Sequence, residues 1–499
     1  MSRMKGSRYH EKLLSMLLAL CVMMELAGAL AQASAEEALS VTHHTAEIAG
    51  QTLSYTATAG RLPVEVDGNK CDMFFTAYTL DGVEDLAERP VTFAFNGGPG
   101  SASLYVHLGM MGPRRVDVND EGMPNALPTQ LVDNPCSILD MTDLVFIDPV
   151  GTGYSRAAEG TDPSVFWNYD GDVASVSAFI RLYASRNGRW GSPKYVAGES
   201  YGTIRAVGVA DYLAQNYTMP VNGVMLISSC NNAGIVPEKK SDAVELTYTL
   251  CLPTYAAIAW YHGLLDEKYQ SMTLEDYLAE VREFAGGDYQ AALFKGVRLT
   301  DAEKDDIAGR VAAYTGFGKE EVLRLNLRIF TDDFCTGLLS DRKLSVGRID
   351  GRMTGPVTQG SIGDGDADPS MGIIDTAFGN TANSYLGGEL DYHTDLIYDC
   401  SGEAPYRAWK YNVDNRTLDQ KEIIYNLMSR NRFLKIWVLC GYYDLATPFF
   451  AAEWVYDHVF LNPESRENLR FTYYPSGHML YMHHPSLEQF RKDAEEWYK

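Results

Sequence analysis

Gly198-Glu199-Ser200-Tyr201-Gly202 constrains this chain more than any other segment. The apolar run Lys194-Tyr195-Val196-Ala197 precedes it, and a helical pattern with Ile204, Val207, Gly208 and Tyr212 on one face follows. A serine flanked two residues away by glycines, between a strand and a helix, predicts a turn too tight for a side chain at either flank. Such a turn strains the serine backbone and lifts Oγ clear of the sheet. The helix that follows points its N-terminus at that oxygen and favours negative charge there.

An activated serine needs a base and an acid that orients the base. Asp444 ends Leu434-Lys435-Ile436-Trp437-Val438-Leu439-Cys440-Gly441-Tyr442-Tyr443-Asp444, a buried-strand run closed by a glycine turn. His478 ends Phe471-Thr472-Tyr473-Tyr474-Pro475-Ser476-Gly477-His478, again a strand and then a loop. Both lie just past a strand, where open α/β sheets carry their sites, and the chain order is serine, acid, histidine. His478 is expected to take the Ser200 proton, with Asp444 holding the imidazole tautomer and its charge. Asn96-Gly97-Gly98-Pro99-Gly100-Ser101 follows the strand-like Val91-Thr92-Phe93-Ala94-Phe95. Its glycines leave backbone N–H groups uncovered, as an oxyanion hole requires. These features predict an α/β-hydrolase fold with a central, mostly parallel sheet and an inserted helical lid.

Those blocks, with Asp148-Pro149-Val150-Gly151-Thr152-Gly153-Tyr154-Ser155, resemble the serine carboxypeptidase family, in order and over most of residues 90–490. The resemblance implies a Ser200, Asp444, His478 triad and an oxyanion hole formed by the Gly98 and Tyr201 N–H groups. It also implies that Asn96 and Glu199 help to hold a substrate's C-terminal carboxylate. Three departures stand out. Ala94 occupies a position where the better-known members have tryptophan, Ser101 one where they have cysteine, and Met110 the place of a second carboxylate-binding glutamate. These departures point the resemblance toward a bacterial branch. They support the hydrolytic machinery more strongly than strict carboxypeptidase specificity.

Residues 1–35 carry Arg3, Lys5, Arg8 and Lys12, an apolar run from Leu13 to Met24 and Ala33-Ser34-Ala35. This is the pattern of a secretory signal peptide and too short for a membrane span. A secreted or periplasmic location follows. Net charge is −24 for the whole chain and −26 without residues 1–35, which hold four basic and two acidic side chains. Such acidity argues against nucleic acid or an anionic membrane as partner. Of the eight cysteines, Cys21 leaves with the signal and seven remain, an odd number. They include no C-x-x-C pair and no cluster with histidine, so no metal or cofactor is expected. A Cys230–Cys251 bridge is one option, against unbridged thiols; Cys440 reads as a small buried residue.

The predicted organisation is signal peptide 1–35, hydrolase core 36–229, lid 230–415 and core again 416–499. Edge strands are expected near 41–79, further strands at 91–95, 143–148, 194–198 and 222–228, and a helix over about 171–186. In the lid, Leu274, Tyr277, Leu278, Val281 and Phe284 form one helical face after a Thr273 cap. Ile307, Val311 and Tyr314 form a second face, and Val322, Leu325 and Ile329 a third. Strand runs resume only at 434–440. A lid inserted there is expected to cover the site and exclude water. Asp364-Gly365-Asp366-Ala367-Asp368 fails the EF-hand pattern at Pro369 and Asp375 and reads as a solvated acidic loop. Gly347-Arg348-Ile349-Asp350-Gly351-Arg352 reads as a salt-bridge network before a substrate contact. His107 reads equally as pocket lining or packing. Asn216-Tyr217-Thr218 and Asn415-Arg416-Thr417 fit glycosylation acceptors.

The leading functional expectation is a serine exopeptidase releasing C-terminal residues of a peptide substrate through an acyl-enzyme. An esterase, amidase or acyltransferase using the same triad is the second reading, and a non-catalytic binding protein the third. Monomer and homodimer are both left open.

Overall fold

Runs such as Val91–Phe95 and Gly223–Ile227 carry no polar alternation, and in the computed structural model every residue of both strands is buried. That is the signature of parallel strands covered on two faces. The structure describes residues 39–237, 239–357, 368–413 and 416–499. The expected signal peptide, Asp364–Ala367 and Asn415 lie outside them.

Nine strands form the main path of one sheet: β1 (Ser40–Ile48), β2 (Gln51–Val66), β3 (Asn69–Leu80), β4 (Val91–Phe95), β5 (Asp143–Ile147), β6 (Lys194–Glu199), β7 (Gly223–Ile227), β8 (Lys435–Gly441) and β9 (Leu469–Tyr474). Their spatial order is β1-β2-β3-β5-β4-β6-β7-β8-β9, and a short strand Arg156–Ala157 adds to β3. The first three form an antiparallel meander that joins β5 antiparallel, and the remaining six are parallel to one another. This is the α/β-hydrolase architecture. Helix α1 (Tyr169–Arg186) starts at Asn168, whose side chain accepts from Gly171 N–H, and helix α2 (Tyr201–Tyr217) follows β6 directly. α1 and α2 pack Val173, Val176, Phe179 and Ile180 with Ala206, Val207, Val209 and Ala210 in one buried apolar cluster.

Between β7 and β8 the chain is mostly helical. The helix Leu274–Phe284 is capped by the Thr273 side chain, and Ile307, Val311 and Tyr314 are buried on the helix Asp301–Thr315. The third expected face does not extend as a helix. The helix Lys319–Arg324 stops because Asn326 and Leu327 take positive φ, and Ile329 is buried from non-helical backbone. Strand structure also returns before residue 434, as the antiparallel pair Leu344–Val346 and Thr354–Pro356 and the pair Asn412–Val413 and Arg416–Thr417. Two- and three-residue strands carry too little periodicity to be read from sequence.

Cys230 and Cys251 form no disulfide; Cys230 lies beside the Thr203 hydroxyl, and Cys251 is buried in the insertion. Asp368 is not solvated. It is buried, accepts from Ser370 N at 2.9 Å as a helix cap, and also receives Arg348 N at 3.1 Å.

Candidate active site

β6 ends at Glu199, and Ser200 takes φ 59° and ψ −129° before α2 begins. That backbone costs about 1–3 kcal/mol and persists only where its surroundings impose it. Here Ser200 N donates to Ile227 O on β7 at 2.9 Å, and Ser200 O accepts from Thr203 N at 2.8 Å and Thr203 Oγ1 at 2.7 Å. β8 and β9 are the next two strands beyond β7. The three residues expected as a triad therefore follow the carboxyl ends of β6, β8 and β9.

Asp444 is wholly buried and accepts four hydrogen bonds. Oδ1 receives Ala446 N at 2.8 Å and Thr447 N at 2.9 Å, while Oδ2 receives Thr447 Oγ1 at 2.6 Å and His478 Nδ1 at 2.8 Å. Four donors fix the carboxylate plane, and with it the Nδ1–H tautomer that leaves Nε2 free to accept a proton. Burial lowers the affinity of His478 for a proton, but the Asp444 charge and hydrogen bond, with the Glu199 charge behind them, outweigh it. The net pKa lies above the ordinary histidine value. No hydrogen bond joins Ser200 Oγ to His478 among the described residues, a looseness common before substrate closes such a site. Thr447, which steadies Asp444, carries no distinguishing signal in the sequence.

The loop after β4 lies flush against the start of α2. A Cβ on Gly97 would stand 2.5 Å from Tyr201 N, so only glycine permits this approach. Tyr201 N is the first amide of α2 and has no intrahelical acceptor, and Gly98 N–H enters no hydrogen bond among the described residues. Asn96 and Glu199 also meet: Asn96 Nδ2 donates to Glu199 Oε1 at 2.9 Å, and Asn96 Oδ1 accepts from Val106 N at 3.0 Å. Both residues are 2% exposed. Glu199 Oε2 and the Tyr481 hydroxyl are buried without a hydrogen bond of normal geometry, yet each acts electrostatically on the other. Burial pushes the Glu199 carboxyl up to about 7, against the lowering pull of His478, Tyr481 and Asn96.

A buried cation that no sequence motif marks lies beneath this pair. Arg205 is fully buried on α2, where its Nε reaches both Asp172 oxygens at 2.9 and 2.8 Å. Its Nη1 donates to the Asn96 carbonyl at 2.6 Å. The insertion reaches over the same loop, with Gly402 N donating to Gly100 O at 2.6 Å and the Trp409 ring edge-on to Tyr201 at 5.1 Å. Met110 is buried, and its carbonyl accepts from Asn134. His107 is packed: it bonds the Tyr78 hydroxyl at 2.6 Å, stacks on Phe146, and burial lowers its pKa to about 3. The Asp350–Arg352 pair at 2.6 Å makes the expected salt bridge of the insertion. Among the described residues no group of histidine, cysteine or acidic side chains is arranged to hold a metal ion, and no helix is long and apolar enough to cross a membrane.

With this geometry in place, a family model for serine carboxypeptidases matches residues 48–285. Over that stretch, just under half of its length, the chain is similar to the serine carboxypeptidase family. Similar proteins include serine carboxypeptidase-like 30 of Arabidopsis thaliana, 27% identical over 33% of this chain and 32% of the relative. The pheromone-processing carboxypeptidase KEX1 of Saccharomyces cerevisiae is 32% identical over 24% of this chain and 16% of its own. The carboxypeptidase-family match thus spans about a third or less of these relatives' length. The fold likeness is wider. The crystal structure of the Saccharomyces cerevisiae prohormone-processing carboxypeptidase Kex1 superposes with TM-score 0.57 at 16% identity, covering 89% of this chain and 91% of that one.

Proposed function

We propose that this chain is a serine-type carboxypeptidase that releases C-terminal residues from peptides through an acyl-enzyme on Ser200. The observation that carries this reading is the His478–Asp444 bond at 2.8 Å, together with a strained Ser200 at the start of a helix, the three residues following parallel strands of one sheet. In the first step Ser200 Oγ attacks the scissile carbonyl and His478 Nε2 takes its proton. The oxyanion accepts from Gly98 and Tyr201 N–H. Collapse breaks the C–N bond, and the His478 proton passes to the departing amine, which leaves as the freed C-terminal residue. Water, deprotonated by His478, then attacks the acyl carbonyl, and Ser200 recovers its proton.

The substrate's terminal carboxylate is met by the Asn96 amide and by Glu199, which can donate to it only while protonated. Burial of Glu199 supports that state up to near neutral pH. Residues 230–415 act as the cap over this site, and residues 1–35 direct the chain to secretion or the periplasm. An esterase, amidase or acyltransferase reading draws on two observations: Met110 stands where a second acid would be needed, and the Asn96–Glu199 pair is enclosed.

A fluorophosphonate probe should label the wild-type chain and leave Ser200→Ala unlabelled and without turnover. Mass spectrometry of a peptide beside its C-terminal amide separates the two readings. Stepwise loss of residues that is much faster from the free acid than from the amide supports the carboxypeptidase, and equal cleavage of both removes the exopeptidase assignment.

A further inference from the structure

One short segment of the insertion grips both the base loop and the acid loop. On the base side, His478 N donates to Ile349 O at 2.7 Å and Gly477 N donates to Asp350 Oδ2 at 3.1 Å. On the acid side, Leu445 N donates to Arg348 O at 3.1 Å and Gly351 N donates to Tyr443 O at 3.0 Å. Residues 348–351 thus flank Asp444 on both sides in sequence and hold two consecutive amides at the histidine. We propose that Asp350 is a positioning residue for His478, which makes this part of the insertion a component of the catalytic apparatus as well as a cover. The proposal rests on the serine hydrolase reading of the site.

The segment is built to be rigid. Leu344–Val346 pairs with Thr354–Pro356, Gly347 N donates to Met353 O at 2.9 Å, and Asp368 receives Arg348 N and Ile349 N. Asp350 is 3% exposed, and Arg352 binds it from two nitrogens, Nε at 3.0 Å and Nη2 at 2.6 Å. The Arg352 guanidinium also lies 5.9 Å from the centre of the Tyr443 ring. A buried carboxylate paired in this way keeps its orientation because rotating it would break three bonds to Arg352, counting the backbone amide at 3.0 Å. Contact with the base loop is close: a Cβ on Gly477 would stand 2.5 Å from both Asp350 Cβ and Ile349 O. From the core the loop is steadied mainly at its carbonyls, by Ser228 Oγ to His478 O at 2.6 Å and Tyr443 N to Ser476 O at 3.0 Å. Its amides, Gly477 N and His478 N, donate to acceptors of the insertion.

Asp350 therefore acts by geometry. The charges that act on His478 are those of Asp444, Glu199 and Arg348, and the Asp350 charge is met by Arg352. Losing the Gly477 contact should let the imidazole drift from Asp444 Oδ2. A displacement of about 1 Å at a reacting group costs on the order of a hundredfold.

The test uses the full chain with a small p-nitrophenyl ester, which needs no cap for binding, and with a peptide. Asp350→Ala should lower kcat about ten- to a hundredfold on both substrates with KM little changed. Its acid limb should move to lower pH, because His478 loses part of its Asp444 support. Asp350→Asn keeps an acceptor for Gly477 and should fall between Asp350→Ala and wild type. If the alanine variant does not fold by circular dichroism, Gly477→Ala leaves the Asp350–Arg352 pair intact, forces the same surfaces apart and should give the same signature. Wild-type kcat and acid limb on the ester in a folded Asp350→Ala or Gly477→Ala chain overturns the proposal. A change confined to KM for the peptide also overturns it, since that is the mark of access control. Probe labelling and turnover by wild type report on the hydrolase reading separately, and their absence removes both.

Discussion

Glu199→Gln gives the sharpest reading of how the site handles a charged substrate end. Glu199 is 2% exposed, and burial raises its carboxyl to about 7. The carboxyl is then about 99% protonated at pH 5, half at pH 7 and about a tenth at pH 8. Only the protonated form donates to a substrate carboxylate; the ionised form repels it. For a free-acid peptide, kcat/KM should fall about fivefold between pH 7 and pH 8 and about tenfold per unit beyond, as the proton leaves. A peptide amide or small ester carries no charge there and should not follow. Glutamine donates at every pH, so in Glu199→Gln this basic-side fall should disappear. A second effect has the opposite edge. Ionised Glu199 helps to raise His478, so its loss lets burial weigh more, His478 holds its proton less firmly, and the acid limb moves down in pH. Because the two groups interact, the measured limbs belong to the pair. The assay is kcat/KM against pH for the peptide, its amide and an ester, in both proteins. Superimposable peptide profiles for wild type and Glu199→Gln would refute the reasoning and leave Glu199 as a residue of the turn alone.

Asp444→Asn should keep the fold and lose about 10⁴ in kcat, because the amide selects the wrong imidazole tautomer; ester turnover within tenfold of wild type would contradict the role. Thr447→Val removes the 2.6 Å donor to Asp444 Oδ2 and should cost about tenfold in kcat, read from initial rates, with a melting shift of a few degrees at most. Arg205→Met leaves Asp172 buried without its cation and should destabilise the chain by about 3–5 kcal/mol in urea unfolding, whereas the double change with Asp172→Leu should recover most of that loss. Exchanging the whole cap 230–415 for a relative's should abolish ester cleavage unless residues 344–356 are retained. Retained cleavage after complete exchange would show that the core alone orders His478.

Local pattern was enough to determine the parts of this protein whose geometry is itself local. Ser200 between its glycines, the uniformly apolar β4 and β7, and the Thr273 cap each carry their constraint within a few residues, because steric room, burial on two faces and unpaired helix amides act at that range. The chain order of Ser200, Asp444 and His478 was equally legible, since each closes a strand run. What lay out of reach depends on which segments meet. Asp368 reads as a solvated carboxylate because its neighbours in sequence are acidic and glycine-rich, yet it is buried as a cap and an acceptor for Arg348 and Ile349. Arg205 and Asp172 stand 33 residues apart and become one buried pair only when α1 packs on α2. The grip of residues 348–351 on both the acid and the base loop runs largely through backbone amides and carbonyls, which every residue possesses. No side-chain pattern announces such contacts, and only the folded chain decides which amide faces which carbonyl.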